Sequence, residues 1–139
     1  MNAQAKLKNH KAYLGDLIGG SLMLRESQTI AELLLTSPSA DDWHDAIVNR
    51  NVLQKRSDAS AKRNAATIKK RLDGLNNAYL EKLAYGGTEL ATQLMFAATL
   101  INSPMLADFM RNVVIDAKRV FREYIDQKDW ESFWDDSVR

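Results

Sequence analysis

Eight of the nineteen basic residues of this chain fall between Arg50 and Arg71, against a single acid, Asp58. Lys55-Arg56, Lys62-Arg63 and Lys69-Lys70 recur every seven residues, and Arg71 extends the last pair. Seven residues are nearly two turns of helix, so doublets at that interval stack on one face. The chemistry open to such a face is neutralisation of a polyanion. Because the whole chain has a net charge of only +1, this local excess points to a surface for nucleic acid. Solvated helices ordinarily interleave acids with bases for i,i+4 pairing, yet no acid lies between Lys62 and Arg71. The candidate ligands are therefore Arg50, Lys55, Arg56, Lys62, Arg63, Lys69, Lys70 and Arg71. The competing readings are a solvated face and a docking surface for an acidic protein.

Contact with six to eight phosphates makes binding fall by roughly 10³ or more between 50 and 200 mM salt. Gln54, Asn64 and Arg71 have side chains able to reach base edges, but no pattern selects them, so phosphate contact is expected to dominate. Helix–turn–helix geometry across residues 40–72 is compatible with the sequence. A second basic group, Arg111, Lys118, Arg119 and Arg122, is interleaved with Asp108, Asp116 and Glu123 and is expected to pair internally. Asp41, Asp42, His44 and Asp45 lie within one turn but lack a second histidine or a convergent partner. They are expected to favour the positive end of a helix rather than hold a metal. With two histidines, no cysteine and no glycine-rich phosphate loop, there is no acid–base or nucleophile constellation. The expectation is a non-enzymatic protein without cofactor or metal.

The elements that must position these residues are helices. Apolar spacings of three and four recur, and period-two alternation is absent. Helices are expected over roughly 24–36, from a cap at Ser39 or Asp41 to about Arg50, and from a cap at Ser57 or Asp58 onward. In the third of these, Ala61, Ala65, Ile68, Leu72, Leu75 and Tyr79 form a buried stripe. That stripe is centred about 140° from Lys62, Arg63, Lys69 and Lys70, which places the bases on the solvent side and Lys55 and Arg56 in the preceding turn. Gly15 and Gly19-Gly20 mark a turn near the start, and Gly86-Gly87 marks another. A mostly apolar helix follows over about 89–101. Ser103-Pro104 then starts a helix expected to reach about Asp126, with Val120, Phe121 and Tyr124 on its inner face. Trp130, Phe133 and Trp134 lie on a short last helix and are expected to pack inward.

The sum is an all-α bundle of five to six helices. At 139 residues the chain reads as a single domain, with residues 1–12 as a mobile tail. The most apolar run, 90–101, is shorter than the roughly 20 residues a membrane span needs, so no membrane association is expected. The absence of cysteine is compatible with a cytoplasmic location.

Three stretches carry a family resemblance. They are Gly19-Gly20-Ser21-Leu22-Met23-Leu24-Arg25-Glu26-Ser27 running into Ile30-Ala31-Glu32-Leu33-Leu34-Leu35; Asn51-Val52-Leu53-Gln54-Lys55-Arg56-Ser57; and Gln93-Leu94 through Asp108-Phe109 to Trp130-Glu131-Ser132-Phe133. In this order the chain resembles the BrxA family, small components of bacteriophage exclusion (BREX) defence systems, over roughly Tyr13 to Trp134. No single motif is chemically specific. The resemblance implies an all-helical cytoplasmic protein with a NusB-like fold that binds DNA, has no enzymatic activity and works with other BREX components. It carries over only the basic positions around Asn51–Ser57. Family members usually continue further at the C-terminus, so the chain reads either as a form missing a C-terminal extension or as a short family member. Together these readings favour double-stranded DNA as the partner, with a protein-interaction adaptor or an RNA-binding NusB-like module as alternatives.

Overall fold

The computed structural model describes residues 22–138, and all regular structure among them is helical. The expected tail at 1–12 and the turn at Gly15 and Gly19-Gly20 lie outside the described residues. Contacts group the described residues into two compact units, 22–102 and 103–138. No single helix among them is long and apolar enough to cross a membrane.

The first unit contains five helices. Helix α1 (Leu24–Leu35) buries Ser27, Ile30 and Ala31. Helix α2 (Ala40–His44) passes directly into a π-helical turn, Asp45–Asn49. Its start is a reciprocal capping box, in which Ser39 Oγ accepts from Asp42 N and the Asp42 carboxylate accepts from Ser39 N. That box takes Ser39, one of the two residues weighed as the cap, together with Asp42, whose carboxylate is thereby engaged with the backbone. Helix α3 (Asp58–Leu72) is capped by Ser57, whose side chain accepts from Ser60 N. Its Ala61, Ala65, Ile68 and Leu72 form the buried stripe.

That stripe does not run on to Tyr79 in one helix. The backbone turns at Gly74, with φ of +77°, and Asn76 caps a new helix, α4 (Asn77–Tyr85). Tyr79 belongs to α4, and its hydroxyl donates to the Leu94 carbonyl of α5 (Thr88–Asn102). Burial pushes the Tyr79 phenol up from its ordinary value. Helix α1 packs chiefly on α4, and α3 packs on α1, the π-helical turn and α5. Ile30, Ile47, Leu53, Ile68, Leu83 and Met95 are the largest side chains at the centre of this unit. Helix α5 buries one face only, through Ala91, Met95 and Ala98, while Leu90 and Ile101 stay exposed.

The second unit is a pair of helices. Ser103 caps α6 (Pro104–Arg119) through its hydroxyl, and Pro104 occupies the first helical position. A π-helical turn, Met110–Val114, interrupts α6. This helix ends at Arg119, not near Asp126. Phe121 adopts a left-handed conformation, φ 58°, which breaks the helical phase. Val120, Phe121 and Tyr124 are consequently exposed, Phe121 at 92%, rather than on an inner face. Asp126 and Asp129 exchange backbone-to-carboxylate hydrogen bonds at the start of α7 (Gln127–Val138). Phe109 meets Trp130 and Phe133 edge-on, at ring-centroid distances of 5.1 and 5.4 Å, and Trp130 stacks on Trp134. The aromatic residues of α7 thus pack within their own unit.

Candidate nucleic-acid interface

Helix α3 forms the centre of the basic surface. Lys62, Arg63, Lys69 and Lys70 are all exposed, opposite the buried stripe. At 100° per residue, Lys62 and Lys69 fall within about 20° of each other, as do Arg63 and Lys70, and the two columns lie about 100° apart. Between them lie Ala59 and Ala66, both exposed. The face therefore consists of two cationic rails flanking a floor of small side chains. Each rail spans about 10 Å of helix, room for a phosphate backbone to approach the helix closely. Among the described residues, Arg56, Lys62, Arg63 and Lys70 have no acidic partner.

The remaining sequence candidates divide. Arg56 is exposed in the loop before α3 and extends the cationic surface. Arg50 is exposed but pairs with Asp45 at 3.1 Å. Lys55 points elsewhere: its ammonium lies 3.2 Å from Glu26 Oε1 on α1, and its side chain is only 24% exposed. A hydrogen bond from its own backbone N–H, aided by the Lys55 ammonium, holds the Glu26 carboxyl below its ordinary value against partial burial. Arg71 is buried, because it lies about 100° beyond Lys70 on the way round to the core. Its carbonyl accepts from Asn102 Nδ2 at 2.9 Å. The structure thus gathers Arg56, Lys62, Arg63, Lys69 and Lys70 on the surface and sets Lys55 and Arg71 into the architecture.

The loop carrying Lys55 and Arg56 runs over residues 50–57, between the π-helical turn and α3. It is longer than the three- or four-residue turn of a helix–turn–helix. Asn51, itself left-handed at φ 47°, fixes it: its side chain donates to the Lys55 carbonyl at 2.8 Å and accepts from Lys55 N at 2.9 Å. Arg25 Nη2 donates to Gln54 Oε1 at 3.1 Å, so Gln54 is engaged by α1.

Two residues of this region escaped the sequence reading. Trp43, half-buried on α2, has Lys69 Nζ 4.7 Å from its ring centroid. Arg25 is exposed on α1. Arg25 stands far from the basic run in sequence and Trp43 seven residues before it, and tertiary packing brings Arg25 to Gln54 and Trp43 to Lys69. The arginines of the second basic group pair, Arg111 with Asp108 at 3.2 Å, Arg119 with Asp116 at 3.6 Å, and Arg122 with Asp129 in a bidentate contact at 2.7 and 2.8 Å, while Lys118 is exposed without an ion pair among the described residues. Arg122 thus selects Asp129 across the loop rather than Glu123 beside it. That pair, with the Asp126 backbone, holds the Asp129 carboxyl well below the usual carboxylate range. Among the described residues no group of histidines and acids is arranged to hold a metal ion.

A family model described as BrxA matches residues 11–139. A BREX protein BrxA from Escherichia coli O9:H4 (strain HS) is 44% identical over 133 residues, which cover 96% of this chain and 62% of that protein. A protein of the same name from Paramagnetospirillum magneticum (strain AMB-1) is 40% identical over 121 residues, covering 87% of this chain and 61% of that protein. The chain thus spans under two thirds of the length of these relatives. A crystal structure of an uncharacterized protein from Magnetospirillum magneticum superposes with a TM-score of 0.76 at 36% identity, covering 87% of this chain and 64% of that one.

Proposed function

The chain belongs to the BrxA family, and we propose that it is a DNA-binding, non-enzymatic component of a BREX phage-defence system, acting in the cytoplasm with other BREX components. The reading rests on one observation above all. Helix α3 presents two cationic rails whose charges are largely unneutralised by the protein itself, on either side of exposed alanines. Like charges on one face repel by a few tenths of a kcal/mol per pair, and a polyanion removes that repulsion. The substrate is duplex DNA, held mainly through its phosphates with weak sequence preference. Rails of constant spacing on a rigid helix match a regular backbone better than a flexible acidic peptide.

Gel-shift titration at two salt concentrations tests this. Lys62→Glu/Arg63→Glu and Lys69→Glu/Lys70→Glu are each expected to weaken duplex binding by about tenfold or more and to flatten its salt dependence. Thermal melting should be little changed, because these positions are exposed. Unchanged duplex affinity in both double variants would refute the reading.

A further inference from the structure

Trp43 adds to the basic surface a group of a different kind. The indole is half-buried, packed on one side against the core of the first unit. Over the ring sits the Lys69 ammonium, 4.7 Å from its centroid. Lys69 itself is exposed and stands on the rail nearer Trp43. An ammonium held over an indole is a cation–π contact. The ring is partly exposed, and a long, flexible and itself exposed side chain lies over it.

A phosphate competes with the ring for Lys69, because an ion pair to an oxyanion is the stronger attraction for an ammonium. Once Lys69 turns to phosphate, the ring face is uncovered. Bases within a duplex are stacked on each other and offer an approaching indole only edges and sugars. An unpaired base offers a π-face, and such stacking strengthens binding by roughly five- to a hundredfold per base.

We propose that Trp43 is a base-stacking residue of this surface, and that the surface takes DNA in which an unpaired stretch adjoins a duplex. The duplex phosphates lie along the rails of α3 and draw Lys69 off the indole, and the first unpaired base stacks in its place. The inference rests on the DNA-binding reading above and adds the class of DNA.

The test compares blunt duplex with the same duplex carrying a short single-stranded overhang, using wild type, Trp43→Leu and Trp43→Phe. Wild type is expected to bind the overhang DNA at least about fivefold more tightly. Trp43→Leu should lose that advantage while holding blunt-duplex affinity within about twofold, and Trp43→Phe should keep most of it. Overhang DNA should also quench wild-type tryptophan emission by a component absent from Trp43→Phe, a readout that does not require Trp43→Leu to fold. Equal affinity of wild type for both DNAs, or identical quenching in wild type and Trp43→Phe, overturns the stacking role. The charge reversals separate the two levels: if they weaken binding but Trp43 makes no distinction, only the stacking proposal fails. If they too have no effect, the DNA-binding reading fails with it.

Discussion

Asn51 holds the loop that launches α3. Its amide both donates to and accepts from the Lys55 backbone, while its own backbone sits in the left-handed region. That conformation suits asparagine better than most residues. Asn51→Ala removes both bonds and adds conformational strain, with an expected cost of about 2 kcal/mol in chemical denaturation. The loop in turn delivers Lys55 to Glu26. Because the folded carboxyl of Glu26 is lowered, the pair stabilises the protein above the unfolded carboxylate value and loses that contribution as pH falls through the folded one. The wild type should therefore lose stability more steeply than Glu26→Gln between about pH 5 and pH 3. Denaturation midpoints across that range decide it, and parallel curves would show the pair to be inert. Lys55 illustrates a limit of the sequence as well. Its doublet with Arg56 obeys the seven-residue interval, but its partner lies 29 residues away, where no local pattern points.

The helices were legible where their signals are local. Ser57, and Ser103 with Pro104, mark starts through side-chain oxygens and a missing N–H, and both are found where those residues stand. The breaks at Gly74 and Phe121 were not legible. Apolar residues continue in helical phase across each, and the backbone turns nonetheless. The two glycines that follow α3 and α4 are expected to respond to alanine for different reasons. At Gly74 a methyl group meets open space but φ is +77°, so Gly74→Ala should cost about 1 kcal/mol through conformation alone. At Gly86 φ is ordinary, yet a Cβ would collide with the Lys82 carbonyl oxygen. Gly86→Ala should then cost about 1–3 kcal/mol and disturb the end of α4. Chemical denaturation gives both costs, and amide exchange near Lys82 should rise only in the second variant.

At the scale of the whole molecule, charge that looks continuous in the sequence is divided between architecture and surface. Counting only Arg56, Lys62, Arg63, Lys69 and Lys70, the logarithm of the duplex association constant should fall with the logarithm of salt at a slope of about 4–5, against roughly 7 for all eight candidates. The aromatic cluster of α6 and α7 is a separate matter. Phe133→Ala should lower stability by about 3 kcal/mol, while duplex affinity measured well below the melting temperature should stay within about twofold, because the rails lie in the other unit.

The alanines between the rails carry a consequence for how this surface tolerates change. On most helices an exposed alanine is the position freest to vary, since folding asks nothing of its side chain. On the proposed DNA-binding reading, the exposed Ala59 and Ala66 act as a clearance: their lack of bulk leaves room for a rod-shaped ligand against the helix backbone. Substitution by glutamine would be silent to folding and visible only to the ligand, so the most permissive sites for stability become the least permissive for binding.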